Sequence, residues 1–265
     1  IMLPGDYIAL RLTGEACTTP SGLSEGILWD FGEGGIAAFL LDYYDIPAEL
    51  IPSVLPNFAV QGRLTRKAAG ELGLPMRTPV AYRAGDQPNN ALSLNVLEPG
   101  EIAATAGTSG VVYGVGDRAS YDPQSRVNTF VHVNHAASRP RYGTLLCING
   151  TAILNSWLKH NAMTVKEASL AYEEMNALAA QAPPGSDGLL ILPFGNGAER
   201  TLGNRDVGAS IHGLSFTRHG RAHLLRAAQE GIVFALKYGL QIMAEMGIRP
   251  TKVRVGYSNM FLSPL

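Results

Sequence analysis

Two short runs have residue types suited to chemistry: Ala84-Gly85-Asp86-Gln87 and Gly107-Thr108-Ser109-Gly110. The first sets a carboxylate at the end of an apolar run, beside residues too small to obstruct a ligand. Gln87, Asn89 and Asn90 add a dense set of hydrogen-bonding groups of the kind a polyol needs. The second run is a tight turn between two strand-like segments, and its main-chain N–H groups and hydroxyls suit an anion. A base beside a phosphate cradle is what phosphoryl transfer to an alcohol requires. Each run also has a purely structural reading, because Asp86 could cap a helix and Gly-Thr-Ser-Gly strings are common in hairpins. A second glycine loop, Gly195-Asn196-Gly197, strengthens the chemical one.

The elements that must position these residues can be read from pattern. Pro4 opens a helix that ends at Gly14, and Thr65 caps another through Leu72, closed by Gly73. Residues 15–33 are rich in Gly, Thr and Ser and read as loop. Ile36, Phe39, Leu40 and Tyr43 have helical spacing. Residues 79–84 read as a strand delivering Asp86, and 88–97 as the helix after it. Glu98-Pro99-Gly100 is a turn that divides two domains, 1–98 and 101–265.

In the second part, 102–106 and 111–115 flank the glycine turn as a β-hairpin, with strands at 127–133 and 144–148 and a helix from 152 to 158. A helix over 165–182 is expected from a Thr164/Glu167 capping box and the stripe Ala171, Met175, Leu178 and Ala182. A strand over 189–192 leads into the second glycine loop. The longest helix spans 221–246 with the stripe Leu225, Ala228, Ile232, Leu236, Gly239 and Met243, and 253–255 is a final strand. Alternating strands and helices make the class α/β.

Composition excludes several functions. The 265 residues carry 21 Lys plus Arg against 22 Asp plus Glu, a net charge of −1, without the positive field a nucleic-acid binder needs. Only Cys17 and Cys147 occur, so no disulfide framework is expected and a reducing cytoplasm fits. No apolar run approaches a membrane span. His132 and His135 sit in a strand-like run, three residues apart and therefore on opposite faces, which disfavours paired metal ligation. His212, His219 and His223 read as surface or capping groups. No P-loop, dinucleotide glycine motif or esterase elbow is present, and the Asn149-Gly150-Thr151 sequon lacks a secretory context. The start at Ile1 and the end at Leu265 lead us to expect an internal piece of a longer protein.

At Asp86 and the glycine turn the sequence resembles the FGGY family of carbohydrate kinases. The likeness runs in the family's order through Leu3-Pro4-Gly5-Asp6-Tyr7, Leu12-Thr13-Gly14-Glu15, Ala84-Gly85-Asp86-Gln87, Thr105 to Val111, Leu192-Pro193-Phe194, Gly197-Ala198-Glu199-Arg200 and His212-Gly213-Leu214. It implies an actin-like ATPase (ribonuclease H-like) two-domain sugar kinase fold, here incomplete at both ends, with ATP and Mg²⁺ in a cleft. It also implies that Asp86 is the catalytic base and lies on the Mg²⁺, and that both Asp86 and Gln87 touch the sugar. Gly107, Thr108 and Ser109 would meet the phosphates, with Gly197, Gly256 and Asn259 near the nucleotide. The implied partners are a ketopentose, D-xylulose foremost, and ATP, with no nucleic acid or membrane and a homodimer left open.

The chain departs from the family pattern in three places. It lacks the Asp-x-Gly-Thr phosphate loop of complete members. It has Gly256-Tyr257-Ser258-Asn259 where a Gly-Gly run is common, and Arg83 before Ala84 where a small residue is usual. Two other readings compete with a kinase: a non-catalytic sugar- or nucleotide-binding regulator of the same fold, and a scaffold whose glycine turns are only hairpin chemistry.

Overall fold

The computed structural model describes residues 1–165, 168–257 and 259–264. By contacts the chain divides into two units. The first holds Ile1–Pro99, Val115–Ala119 and Thr129–Gly143, and the second holds Gly100–Gly114, Ser120–Asn128 and Thr144–Leu265. The first change of unit therefore falls between Pro99 and Gly100, and two later segments return.

In the first unit the helix Pro4–Thr13 starts with proline at its first position, and Asp6 Oδ2 accepts the Leu3 N–H at 3.1 Å. It ends where Gly14 takes a left-handed φ of 80° and its N–H bonds Leu10 O. Thr65 accepts the Ala68 N–H to start Arg66–Leu72, and Gly73 closes that helix with a φ of 65°.

The segment 15–33 is not a loop. It forms the strand Cys17–Thr18, the helix Pro20–Glu25 and the strand Trp29–Asp30. The signal was Thr19-Pro20, in which threonine accepts the Gly22 N–H and proline takes the first helical position. The expected helix through Ile36 is shorter, Ala38–Tyr43, and buries Leu41. Phe39 and Tyr43, placed on its apolar stripe by spacing, are 60% and 77% exposed. The strand expected over 79–84 is only Pro79–Val80, paired antiparallel with Gly62–Arg63, and the helix after it is Asp86–Ser93 rather than 88–97.

The returning segment 129–143 helps to build this unit. The Val131 N–H donates to Ser24 Oγ at 2.9 Å, and Asn57 Nδ2 donates to His132 O and Val133 O at 3.2 and 2.9 Å. The strand expected over 127–133 stops at Val131, and His132 lies just beyond it, fully buried, with Nε2 3.0 Å from Val96 O. Burial holds the His132 imidazole down at about 4, below its ordinary 6.5. The unfolded chain then takes up this proton near 6.5 while the folded chain resists until about 4, so stability falls as pH drops through that window. The expected loss is on the order of 3 kcal/mol between pH 7 and pH 4. Denaturant titrations across that range check it, with His132→Gln giving a flatter profile; equal profiles for the two proteins would contradict the assignment.

Five strands form one sheet in the order Lys252–Val255, Glu101–Ala106, Gly110–Gly116, Tyr142–Ile148 and Asn128–Val131. The central hairpin is antiparallel with Ala106 opposite Gly110, and Lys252–Val255 runs parallel to Glu101–Ala106. The helix Arg221–Glu245 buries all six residues of its expected stripe. Ile232, Leu236 and Met243 join Ile102, Val112, Leu146 and Ile148 in one apolar core. Gly231 allows the helix to approach closely, since a Cβ there would lie 2.0 Å from Ile191 O.

The helix expected over 165–182 is confined to Tyr172–Ala179. Before it, Thr164–Val165 pairs antiparallel with Ala168–Ser169, and the Leu170 N–H reaches Met163 O at 3.1 Å. The start is stabilised instead by Glu174, whose Oε2 accepts the Ala171 N–H at 2.7 Å, while Glu167, one half of the expected capping box, lies outside the described residues. Among the described residues no helix is long and apolar enough to cross a membrane.

Candidate active site

Asp86 and Gln87 open the helix Asp86–Ser93 in the first unit. The residue preceding the first turn is Gly85, with φ −63° and ψ 166°, so the capping role that was the structural alternative for Asp86 falls to a residue without a side chain. Glu25, at the end of the helix Pro20–Glu25, supplies what glycine lacks. Its Oε1 accepts the Asp86 N–H at 2.9 Å. Its carboxyl lies so near Gly85 that a Cβ there would come within 2.2 Å of Glu25 Cδ. Ser21 Oγ, from the same helix, accepts the Gly85 N–H at 3.1 Å.

Burial first, then the adjoining Asp86 carboxyl, push Glu25 up to about 7, while the N–H groups of Asp86 and Gln87 pull the other way. The Asp86 side chain itself is exposed. Gln87 Nε2 reaches Asp86 Oδ2 at 3.4 Å, and Gln87 Oε1 is buried with no partner. Nearby, Phe58 and Tyr82 stack with ring centroids 4.7 Å apart, and Tyr82 donates to Asn89 Oδ1 at 2.9 Å. Burial pushes Tyr82 up to about 12. A cavity of about 690 Å³ elsewhere in this unit, lined among others by Thr13, Gln61, Arg63 and Arg77, includes neither Asp86 nor Gln87.

In the second unit the turn Gly107-Thr108-Ser109 is tied back through its carbonyls. Thr151 Oγ1 donates to Gly107 O at 2.8 Å and to Thr108 O at 3.2 Å, and the Ala152 N–H also meets Gly107 O at 3.0 Å. Ser109 Oγ donates to Asn149 Oδ1 at 3.0 Å, and Asn149 Nδ2 donates to Glu199 Oε1 at 3.2 Å. This chain of side chains joins the turn to the loop that carries Gly197, whose φ is +89° and whose α-carbon faces open space. Gly197 lines a cavity of about 410 Å³ with Asn196, Glu199, Asn204, Arg205 and Asp206. Gly256 follows the strand Lys252–Val255, and Asn259 begins the short helical turn Asn259–Leu262.

The structure therefore groups Asp86 with Gln87 in one unit, and Gly107, Thr108, Ser109, Gly197, Gly256 and Asn259 in the other. Sequence reading missed Glu25, which is 61 residues before Asp86, and Asn149, where only a glycosylation sequon was visible.

The loop after Asn149 is held by a close backbone approach. A Cβ at Gly150 would lie 1.4 Å from Pro193 O, a conflict that no side-chain rotation relieves. Gly150→Ala is expected to cost about 3 kcal/mol, the upper part of the usual range for overpacking. Denaturation followed by Trp157 fluorescence measures it, and an unchanged midpoint would remove Gly150 from this role.

His132 and His135 each bond main chain within their own unit, and among the described residues no group of three or more His, Cys, Asp or Glu is placed to hold a metal ion.

The fold is the actin-like ATPase fold of sugar kinases, as its likeness to solved sugar kinases shows. The solved xylulose kinase from Rhodospirillum rubrum superposes with a TM-score of 0.85 and 29% identity, covering 98% of this chain and 50% of that one. Residues 1–93 match the N-terminal domain, and residues 102–256 the C-terminal domain, of the FGGY family of carbohydrate kinases. The chain belongs to that family. A xylulose kinase from Haemophilus influenzae is 27% identical over 259 residues, or 96% of this chain and 50% of the relative. A gluconokinase from Bacillus licheniformis is 28% identical over 218 residues, covering 79% of this chain and 40% of the relative. The chain thus spans about half the length of the curated relatives it matches.

Proposed function

We propose that the whole protein transfers the γ-phosphoryl group of ATP to a sugar hydroxyl, converting D-xylulose to D-xylulose 5-phosphate. The observation that carries this reading is the exposed Asp86 carboxylate at the start of Asp86–Ser93, in a chain of the carbohydrate-kinase family. Asp86 accepts the hydroxyl proton as the sugar oxygen attacks phosphorus, raising the nucleophilicity of that oxygen when it is needed.

Gln87 binds the sugar. An unpartnered buried carbonyl costs about 1–3 kcal/mol, and a ligand hydroxyl donating to Gln87 Oε1 removes that cost. Residues 1–98 form the sugar side. Residues 101–265 form the nucleotide side, where Gly107, Thr108 and Ser109 bind phosphate oxygens and Gly197, Gly256 and Asn259 border the nucleotide. Mg²⁺ would neutralise charge on the phosphates. It keeps several waters and needs only one or two carboxylates beside phosphate oxygens, so the single exposed carboxylate of Asp86 suits it. Cys17 and Cys147 are not joined in a disulfide, in keeping with a cytoplasmic setting.

The similarity to a gluconokinase makes gluconate the sugar to compare against. A coupled assay of the full-length protein with D-xylulose and D-gluconate tests the choice. We expect kcat/KM for xylulose to exceed that for gluconate by about tenfold or more, the scale of one net hydrogen bond. Preference for gluconate would overturn the substrate. Binding of sugar and ATP by calorimetry without phosphate transfer would favour the non-catalytic regulator.

A further inference from the structure

A helix start leaves its first N–H groups without partners, and the residue before the first turn usually supplies a side-chain acceptor. At Asp86–Ser93 that residue is Gly85, which has none. The missing acceptor arrives from a distant part of the chain, where Glu25 Oε1 takes the Asp86 N–H at 2.9 Å. The contact is intimate on both sides, because the Glu25 carboxyl occupies the space a Cβ on residue 85 would need, at 2.2 to 2.6 Å. Ser21 Oγ holds the neighbouring Gly85 N–H at 3.1 Å. Two residues of the helix Pro20–Glu25 thus grip successive amides at the point where Asp86 leaves the main chain.

We propose that Glu25 is a positioning residue for the reaction: it fixes the Asp86 backbone, and with it the direction of the Asp86 carboxylate, by accepting the Asp86 N–H across the glycine at position 85. This rests on the reading of Asp86 as the base. The choice of glycine at 85 then follows from Glu25 rather than from backbone conformation, since the φ of −63° is one any residue adopts. The bland alternative is an ordinary helix cap, which would affect stability and leave turnover alone.

Three variants of the full-length kinase separate these. Glu25→Ala removes the acceptor, and kcat is expected to fall about 10–100-fold with the KM for sugar and ATP nearly unchanged, the scale of misplacing a catalytic group by about 1 Å. Glu25→Gln keeps a carbonyl oxygen in place and is expected to hold kcat within about threefold, because the neutral acceptor serves the same N–H. Gly85→Ala displaces the Glu25 carboxyl and should reproduce the Glu25→Ala defect. Combined with Glu25→Ala it should add almost nothing, the non-additivity that marks a shared contact.

Thermal melting accompanies each variant. A lowered melting point with unchanged kcat in Glu25→Ala means a cap alone and overturns the proposal. A Glu25→Gln enzyme as slow as Glu25→Ala also overturns it, because charge rather than the hydrogen bond would then matter. Asp86→Asn keeps the two failures distinct: retained turnover there removes the base itself, whereas loss there with a normal Glu25→Ala removes only the positioning role.

Discussion

Asp86→Asn in the full-length protein is expected to lower kcat by about 10²–10⁴, the usual worth of a positioned general base. Asparagine matches the carboxylate in size and keeps the N–H that Glu25 accepts, so the helix Asp86–Ser93 should form as before. What disappears is the capacity to take a proton. KM for the sugar should change little, because Gln87 remains to bind it. A loss confined to kcat identifies an interaction made in the transition state. Turnover within about threefold of the parent would fall far outside the range for a general base and would refute the role.

Arg83→Ala is expected to destabilise the first unit by about 3–5 kcal/mol, the cost of leaving a buried charge without its partner. Arg83 Nε lies 2.9 Å from Asp6 Oδ1, and the two side chains are 12% and 5% exposed. Arg83 Nη2 also donates to Cys17 O at 2.6 Å. The pair is close but poorly aligned, since Arg83 Nε and Nη1 complete no hydrogen bond. Asp6 is meanwhile committed to the Leu3 N–H and the Thr18 hydroxyl, so it cannot swing out to water when the arginine is removed. Denaturation followed by Trp29 fluorescence gives the number. Adding Asp6→Asn to Arg83→Ala should recover part of the loss by removing the stranded charge; a double variant worse than Arg83→Ala would contradict this account. The arginine that departs from the family pattern thus has a structural partner in this chain.

What the sequence disclosed follows the range of the interactions involved. Thr65 with Gly73, the hairpin around Gly107–Gly110 and the stripe of Arg221–Glu245 were legible because each is settled within a few turns or a two-residue period. The helix Pro20–Glu25 was hidden by small polar residues that are buried here, Ser21, Gly22 and Ser24, whose partners lie far away in Asn57 and Val131. The stretch 165–182 kept a helical stripe in part, with Met175 and Ala182 buried, but pairing between 164–165 and 168–169 took its first turn. Asp86 and the glycine turn were visible as residue types. Glu25 and Asn149 were not, because nothing local ties an acidic residue to a glycine 60 positions later, or an Asn-Gly-Thr string to a hairpin 40 positions earlier.

The composition of the first unit also sets an order of events during synthesis. Its interior bonds to Val131, His132 and Val133 come from a segment that follows the hairpin of the other unit in the chain. A nascent polypeptide released from the ribosome only as far as Pro99 would lack the partners of Ser24, Asn57 and Val96. The first unit must therefore wait, incompletely closed, until roughly 45 further residues have emerged, so first made, first folded does not hold between these two units.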